Sequence, residues 1–506
     1  MSAHKILSLE CLKKELSTAR EANTIVHCHG VFDILHPGHI RHLKQAKEMG
    51  DLLVVTITPD HYVNKGPDRP VFNAEYRAEV LAALGMVDYV SVNKWPTAVE
   101  LIQYLQPHFY VKGDEYSVAE KDITGKIVDE EEAVKSVGGE LKFTYDVVFS
   151  SSNLANRCFP QLSENGKKFI ADFTSKHSKE EILNDLKSLQ DLKVLVIGET
   201  IIDEYNFCDT LGKSGKEPII ASKLLWTEKY IGGILAIANH VGSFTDNVEL
   251  VTQLGEVDSQ IEFINEKLRT NITQHFLPIR QAPTIVKSRF VERYPFQKLF
   301  EVYTISNCDP TPEDAKDLYE KMEELVPQAD LVIVADYGHG MLLPEHRNLL
   351  SEKAKFLAMN TQQNAGNQGF HVFSAYSRAD FISISENELR LEARCRSRRI
   401  EDLIKEASEK CSCSKVLITQ GEKGCICYDQ ETGFVKIPAF TQKVVDRIGA
   451  GDTVLSIASM CAAKGMPADV IGFLGSVAGA QAVGDMCNKS FLDKVAFGKH
   501  ITSLLS

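Results

Sequence analysis

Basic side chains are in short supply. Lysine and arginine number 56 against 69 aspartates and glutamates, a formal net charge of -13. That balance argues against a broad nucleic-acid or anionic-membrane surface, although a nucleotide site needs only a local cluster of donors. No apolar run approaches the ~20 residues of a membrane span. Residues 1–20 mix Lys and Glu with Leu and lack the apolar core of a secretory signal. The 12 cysteines are scattered, and close pairs such as Cys411-Ser412-Cys413 are not read as a zinc site. Reduced thiols in the cytosol are the simplest account. Neither Gly-x4-Gly-Lys-Ser/Thr nor a post-strand Gly-x-Gly-x-x-Gly occurs, which argues against a P-loop ATPase and a dinucleotide-dependent dehydrogenase. Lys213-Ser214-Gly215-Lys216 reads as a solvated loop. Internal repeats and low-complexity tracts are missing too.

What is present reads as two α/β domains. A chain of 506 residues with 44% hydrophobic content is long and apolar enough to bury more than one core. An amphipathic helix (6–21) is followed by strand 24–27, helix 40–49, a nearly continuous apolar strand (52–58), helix 73–84, strand 89–92, helix 98–105 and strand 109–111. This alternation predicts a doubly wound domain over 1–157. Residues 158–191 are polar and read as a connector with one short helix, opened by the capping box Ser178-Lys179-Glu180-Glu181. From 192 to 506 a second α/β domain is expected, with strands at 194–197, 248–252, 331–335, 381–384 and 416–419. Two β-rich stretches, 218–230 and 284–303, predict a small lid sheet. Its open edges allow pairing between two copies, a homodimer.

Two stretches carry chemistry. Asp446-Arg447-Ile448-Gly449-Ala450-Gly451-Asp452-Thr453 follows a strand-like run (434–445) and opens a helix (454–463). Glycines at a helix start leave backbone N–H groups open to a phosphate that is gaining charge. Asp452 stands at the same turn, where a carboxylate can take a proton from an alcohol, so anion cradle and base together fit phosphoryl transfer to a hydroxyl. The second stretch is Gly30-Val31-Phe32-Asp33-Ile34-Leu35-His36-Pro37-Gly38-His39. It lies at the C-terminal end of a strand, where open α/β sheets bind ligands. Its neutral imidazoles, His36 and His39, can donate to phosphate oxygens beside a helix N-terminus.

Residues 30–39 resemble the signature of the nucleotidylyltransferase superfamily, with its cytidylyltransferase-like fold. The resemblance implies joining a nucleoside monophosphate, from ATP or CTP, to a phosphorylated alcohol or sugar with release of pyrophosphate. It implies catalytic roles for His36, His39 and Lys44. It implies nucleotide contacts from Gly30, Phe32, Asp33 and Arg77, from the turn Lys112-Gly113-Asp114, and from Ser150, Ser151 and Ser152 before Asn153, where the family has a second Thr. Residues 65–70 look like its mobile loop. The wording near 69–73 and 111–113 is most like members acting on heptose 1-phosphate.

From residue 193 onward the chain resembles the ribokinase, or PfkB-type, carbohydrate kinases. The resemblance implies a base at Asp452, an anion hole at Gly449, Ala450 and Gly451, and ATP contacts at Thr419, Gly421 and Glu422. For the sugar it implies Asp203, Gly232, Gly233, Asn239, Asp336 and the lid cations Lys287 and Arg289. It implies Mg²⁺ organised indirectly by Glu388. Ala236, Ser385 and His339 depart from the family's usual Asn, Asn and Lys. The expectation is a sugar-activating enzyme of two activities, taking ATP, Mg²⁺ and a heptose-like sugar or sugar phosphate, with its domains in the reverse of the usual bacterial order. The alternative is a cytidylyltransferase for another phosphoalcohol, with the kinase half a ligand-binding or dimerising module.

Overall fold

In the computed structural model, which describes all residues except 1–2, 64–69, 114–125, 145–161, 307–309, 365, 368–370, 442–443 and 506, the Val/Ile/Leu runs become the inner strands of α/β sheets. The chain divides into two compact units, Met1–Gln161 with Val495–Ser506, and Leu162–Lys494.

The first unit runs α1 (Leu9–Ala19), β1 (Ile25–Gly30), α2 (Pro37–Lys47), β2 (Leu52–Ile57), α3 (Ala74–Ala82), β3 (Tyr89–Val92), α4 (Val99–Leu105), β4 (Phe109–Gly113), α5 (Lys126–Ser136) and β5 (Glu140–Thr144). Its strands pair in parallel in the order β3-β2-β1-β4-β5. Successive residues of a strand point to opposite faces. Val26, Cys28, Leu53 and Val55 therefore pack with Leu43 of α2 and Leu81 of α3, while Ile25 and Val54 pack with Leu12 of α1 and Leu101 of α4. A sheet covered on both faces explains the continuous apolar strands. Order reverses at β1, so the C-terminal ends of β1 and β4 border the crevice of the sheet. Helix α5 and strand β5 extend it beyond the elements expected from sequence.

The second unit begins with α6 (Glu164–Lys176) and α7 (Lys179–Ser188). The region expected as a connector is thus two helices that belong to this unit. Ser178 and Glu181 form the expected capping box, but Phe173 packs 4.5 Å from Phe473 and His177 bonds Asp469 at 2.9 Å. Burial of Phe173, Ile182 and Leu186 is the physical reason the segment docks. Next come β6 (Val194–Gly198), β7 (Thr200–Lys213), β8 (Ile220–Gly233), α8 (Ile234–Val241), β9 (Val248–Val257), α9 (Ile261–Lys267), β10 (Ile272–Pro283), β11 (Ile285–Glu292), β12 (Gln297–Thr304), α10 (Pro312–Leu325), β13 (Leu331–Asp336), α11 (Pro344–Lys353) and β14 (Leu357–Thr361). The unit continues through β15 (Phe381–Ser385), α12 (Glu386–Glu392), α13 (Ile400–Lys410), β16 (Lys415–Thr419), β17 (Cys425–Asp429), β18 (Gly433–Ile437), α14 (Ala450–Ala463) and α15 (Ala468–Ala482). The last helix is α16 (Lys494–Leu504).

The large sheet has the order β10-β9-β6-β13-β14-β15-β16-β17-β18. Pairing is parallel through β16 and antiparallel across its last two pairs. The lid is a four-stranded sheet, β12-β11-β7-β8, so it also recruits β7, which the sequence reading left out. The strand-like run 434–445 shortens to β18, because Pro438 has no N–H to continue the ladder. The final segment groups with the first unit, against the expected domain of 192–506; Phe497 and Ile501 of α16 are wholly buried. Among the described residues no helix is long and apolar enough to cross a membrane, and none of the cysteines is in a disulfide.

Candidate active sites

In the first unit the chain turns sharply after β1. Phe32 takes a left-handed φ of 49°, and Pro37 opens α2 with His36 at the N-cap. This brings His36 and His39 together. Their rings stack with centroids 3.9 Å apart, and Phe32 meets His39 edge-on at 5.3 Å. Both imidazoles lie at the positive end of α2. Asp33 is buried and accepts the Phe72 N–H at 3.1 Å, fastening this turn to the segment before α3.

Lys112 and Gly113 end β4 on the other side of the crevice, and Lys112 pairs with Glu130 at 2.9 Å. Three further histidines surround this point. His27 and His29 share Thr56 Oγ1 at 2.7 and 2.9 Å, and His42 meets Thr144 Oγ1 at 2.7 Å. Burial, then the Lys112 charge, pushes His27 down to about 3 and His42 down to about 4, so both are neutral at pH 7. The sequence reading missed them; the density of histidine between 27 and 42 was the available signal. Lys44 is exposed on α2. Asp114, Ser150, Ser151, Ser152 and residues 65–69 lie outside the described residues.

Arg77, expected to contact the nucleotide, is bonded to protein here. It is 2% exposed, and its guanidinium donates to the carbonyls of Phe72, Val31 and Thr58 and to Asp60. With these partners made, it clamps three loop segments and has little left to offer a nucleotide.

In the second unit Gly449 is the N-cap of α14, with φ 82°. A Cβ there would stand 2.2 Å from Asn488 Oδ1, so only glycine fits. Ala450, Gly451 and Asp452 form the first turn, and a Cβ at 451 would meet nothing within 4 Å. The partly buried Asp452 carboxylate accepts the Tyr337 hydroxyl at 2.9 Å. Burial pushes its pKa up to about 7; the Tyr337 hydrogen bond and Lys287 oppose the rise, while Asp203 and Glu388 add to it.

The residues expected to meet the sugar come largely from β7, β8 and β11. Asp203 is buried and bonded to Arg289, which also reaches Glu301 at 3.0 Å. A Cβ at Gly232 would lie 2.1 Å from Asp203 Oδ2, and Gly233 has φ 54°. The expected Gly-Gly pair is therefore what makes room for that carboxylate. Lys287, in register with Asp203, is also buried, and burial draws its pKa down. Glu199 accepts the N–H groups of Tyr337 and His339 at 2.8 and 3.0 Å. Tyr337 and Glu199 were not among the expected site residues; Tyr337 directly follows Asp336 in the chain.

Thr419 ends β16, and Gly421 and Glu422 follow in an exposed turn. Ser385 caps α12 by accepting the Glu388 N–H, and Glu388 returns a bond to the Ser385 N–H at 2.7 Å, so the serine keeps the helix start that Asn would make. Two of the expected sugar ligands make their hydrogen bonds to protein. Asp336 is 1% exposed and bonded to Tyr376 at 2.8 Å, His371 at 3.2 Å and Arg347 at 3.3 Å. Asn239 is wholly buried and bridges Lys267 O and the Arg269 N–H. Their polar atoms are satisfied by protein, which is why they can be buried.

Comparison with known proteins agrees with both halves. Residues 191–490 match the model of the family described as pfkB family carbohydrate kinase, and residues 27–157 match that described as Cytidylyltransferase-like. The chain belongs to the pfkB family of carbohydrate kinases, joined to a cytidylyltransferase-like segment. "Bifunctional protein HldE" of Syntrophotalea carbinolica is 38% identical over 141 residues, 27% of each chain, and that of Aliarcobacter butzleri is 43% identical over 119 residues, 23% of this chain and 25% of that protein. The chain thus matches about a quarter of the length of these relatives. Arabidopsis thaliana ribokinase complexed with ribose and ATP is similar over 62% of this chain and 98% of its own, at 17% identity and a TM-score of 0.47.

Proposed function

We propose that the protein is a sugar-activating enzyme of two activities. The second unit transfers the γ-phosphoryl group of ATP to a hydroxyl of a heptose-like sugar or sugar phosphate. Asp452 accepts the hydroxyl proton, the N–H groups at Gly449 to Gly451 hold the transferring phosphoryl oxygens, and Asp203 with Lys287 and Arg289 orients the acceptor. The carrying observation is the placement of Asp452 in the first turn of α14, bonded to Tyr337 at 2.9 Å.

Magnesium fits this site as an ion carried in on the nucleotide. Such an ion keeps phosphate oxygens and waters as ligands, and among the described residues no three acidic, His or Cys side chains form a cage. Bound there, it would neutralise charge on the phosphates. Glu388, with each carboxylate oxygen accepting one backbone N–H, from Ser385 and Gln363, has lone pairs left to orient a water on that ion.

The first unit transfers a nucleoside monophosphate, from ATP by the likeness to heptose enzymes, to a sugar 1-phosphate. His36 and His39 donate to the phosphate under attack, and no base is required because the nucleophile is already a phosphate. The likeness to HldE supports heptose; CTP and another phosphoalcohol are the competing substrates. Free cysteines support a cytosolic setting, and the exposed Leu224, Trp226, Phe300 and Val302 of the lid support a homodimer.

Nucleotide consumption by the full chain with a panel of sugars and sugar phosphates tests the reading. We expect ADP formation that Asp452→Asn abolishes, with pyrophosphate release from sugar 1-phosphates unchanged. Absence of ADP with every acceptor refutes the kinase half, leaving the module reading.

A further inference from the structure

We propose that Tyr337 is the positioning residue of the kinase base: its hydroxyl holds Asp452 Oδ1, leaving Oδ2 for the acceptor. The inference rests on the kinase reading above and deepens it.

Among the described residues, the Tyr337 hydroxyl is the one donor hydrogen-bonded to the Asp452 carboxylate. Asp203 on β7, Lys287 on β11 and Glu388 on α12 act on that carboxylate through their charges, and Tyr337, just after β13, bonds it. Two acidic neighbours and burial favour the protonated acid. The ammonium of Lys287 and the phenolic O–H favour the carboxylate. A base that must be empty of its proton before each turnover depends on this second pair.

Tyr337 itself is held to a degree that a packing aromatic does not need. Its ring is 2% exposed. Its N–H donates to Glu199 Oε2 at 2.8 Å. Its carbonyl accepts from the carboxamides of Asn364 at 2.8 Å and Asn367 at 2.9 Å. The clamp also explains the next residue. Gly338 has φ 69°, and a Cβ there would stand 2.2 Å from Asn367 Nδ2. Both backbone polar groups of one residue are thus seized by side chains from two distant segments, which fixes where its hydroxyl lies.

In the reaction the acceptor O–H bond breaks as its oxygen bonds the γ-phosphorus. The proton passes to Asp452 Oδ2 and ADP leaves. Tyr337 keeps its proton throughout.

Tyr337→Phe in the full chain is the test. We expect kcat at pH 7 to fall about tenfold, and the acid limb of kcat/KM to move up by about one pH unit. KM for ATP should stay within about twofold, as for a residue that acts through the base alone. A pH profile superimposable on that of the wild type overturns the proposal. Asn364→Ala with Asn367→Ala keeps the phenol but loosens it, and should move the limb in the same direction by less; no movement overturns the clamp. A turnover-free arm compares urea midpoints of Tyr337→Phe, Asp452→Asn and the double variant. Non-additive midpoints support the link, and additive ones refute it. Should the wild type phosphorylate no acceptor, the kinase reading fails, while the urea cycle still decides whether these two side chains are coupled.

Discussion

Lys298 Nζ on β12 lies 2.6 Å from Asp446 Oδ1, and the Tyr205 hydroxyl on β7 donates to Oδ2 at 2.7 Å. Two lid strands are thereby tied to the turn that carries Asp452. Burial alone would raise the Asp446 carboxyl, but the hydrogen bonds of Lys298 and Tyr205 and the Lys298 charge outweigh it and hold the group below its usual range. The lid and the Asp452 turn share one anchoring carboxylate.

Asp446→Asn should therefore lower kinase kcat/KM and cost about 1–3 kcal/mol of stability at pH 7. The folded pKa is depressed, so this stabilisation is present above the unfolded value near ~4 and is lost as pH falls through the folded value. Urea melts at pH 7 and at pH 3 check it: the gap between variant and wild type should close at the lower pH.

Asp452 runs the other way. Its folded pKa is raised to about 7, so the folded state holds a proton the unfolded chain has released, and stability declines between ~4 and ~7. Asp452→Asn, which cannot ionise, should be more stable than the wild type by on the order of 2 kcal/mol at pH 8 and show little gain at pH 4. Wild-type phosphoryl transfer should climb through pH 7 as the base ionises. Thermal melts and initial rates across pH 5–9 read both effects.

Gly232→Ala places a methyl carbon where Asp203 Oδ2 now stands, 2.1 Å away. The carboxylate cannot swing aside without leaving Arg289. We expect KM for the acceptor to rise at least about tenfold, roughly 1.4 kcal/mol, while pyrophosphate release by the first unit is untouched. Parallel assays of the two activities measure this.

His36→Ala and His39→Ala should each cost about 2–4 kcal/mol of transition-state stabilisation, the scale of losing one oxyanion donor. Because the rings stack at 3.9 Å, removing one frees the other, and the double variant should lose less than the sum. Pyrophosphate release at saturating nucleotide checks each, and full activity in both single variants would dismiss the histidines.

The two candidate turns were legible because their residues are local in the chain. The Gly449–Asp452 turn and the His36–His39 turn each combine a helix start with its functional groups in a few residues, so reading along the chain finds them. Arg77, Asp336 and Asn239, whose hydrogen bonds go to protein, show the opposite case. Each is a polar residue beside a motif, and nothing in sequence tells whether its hydrogen bonds go to a ligand or to protein. The helices of 164–188 looked like a connector because their partners are remote; His177 and Asp469 are 292 positions apart.

The order of residues alone determined two α/β halves, the strands that alternate with helices, and which turns offer N–H groups to phosphate, since periodicity, glycine and capping act within a few residues. Only the tertiary structure decided that Tyr337 bonds Asp452, that Gly232 makes room for Asp203, and that Asp446 answers to the lid. Those relationships join side chains from separate strands, and burial lets each polar group keep only the partners the packing delivers.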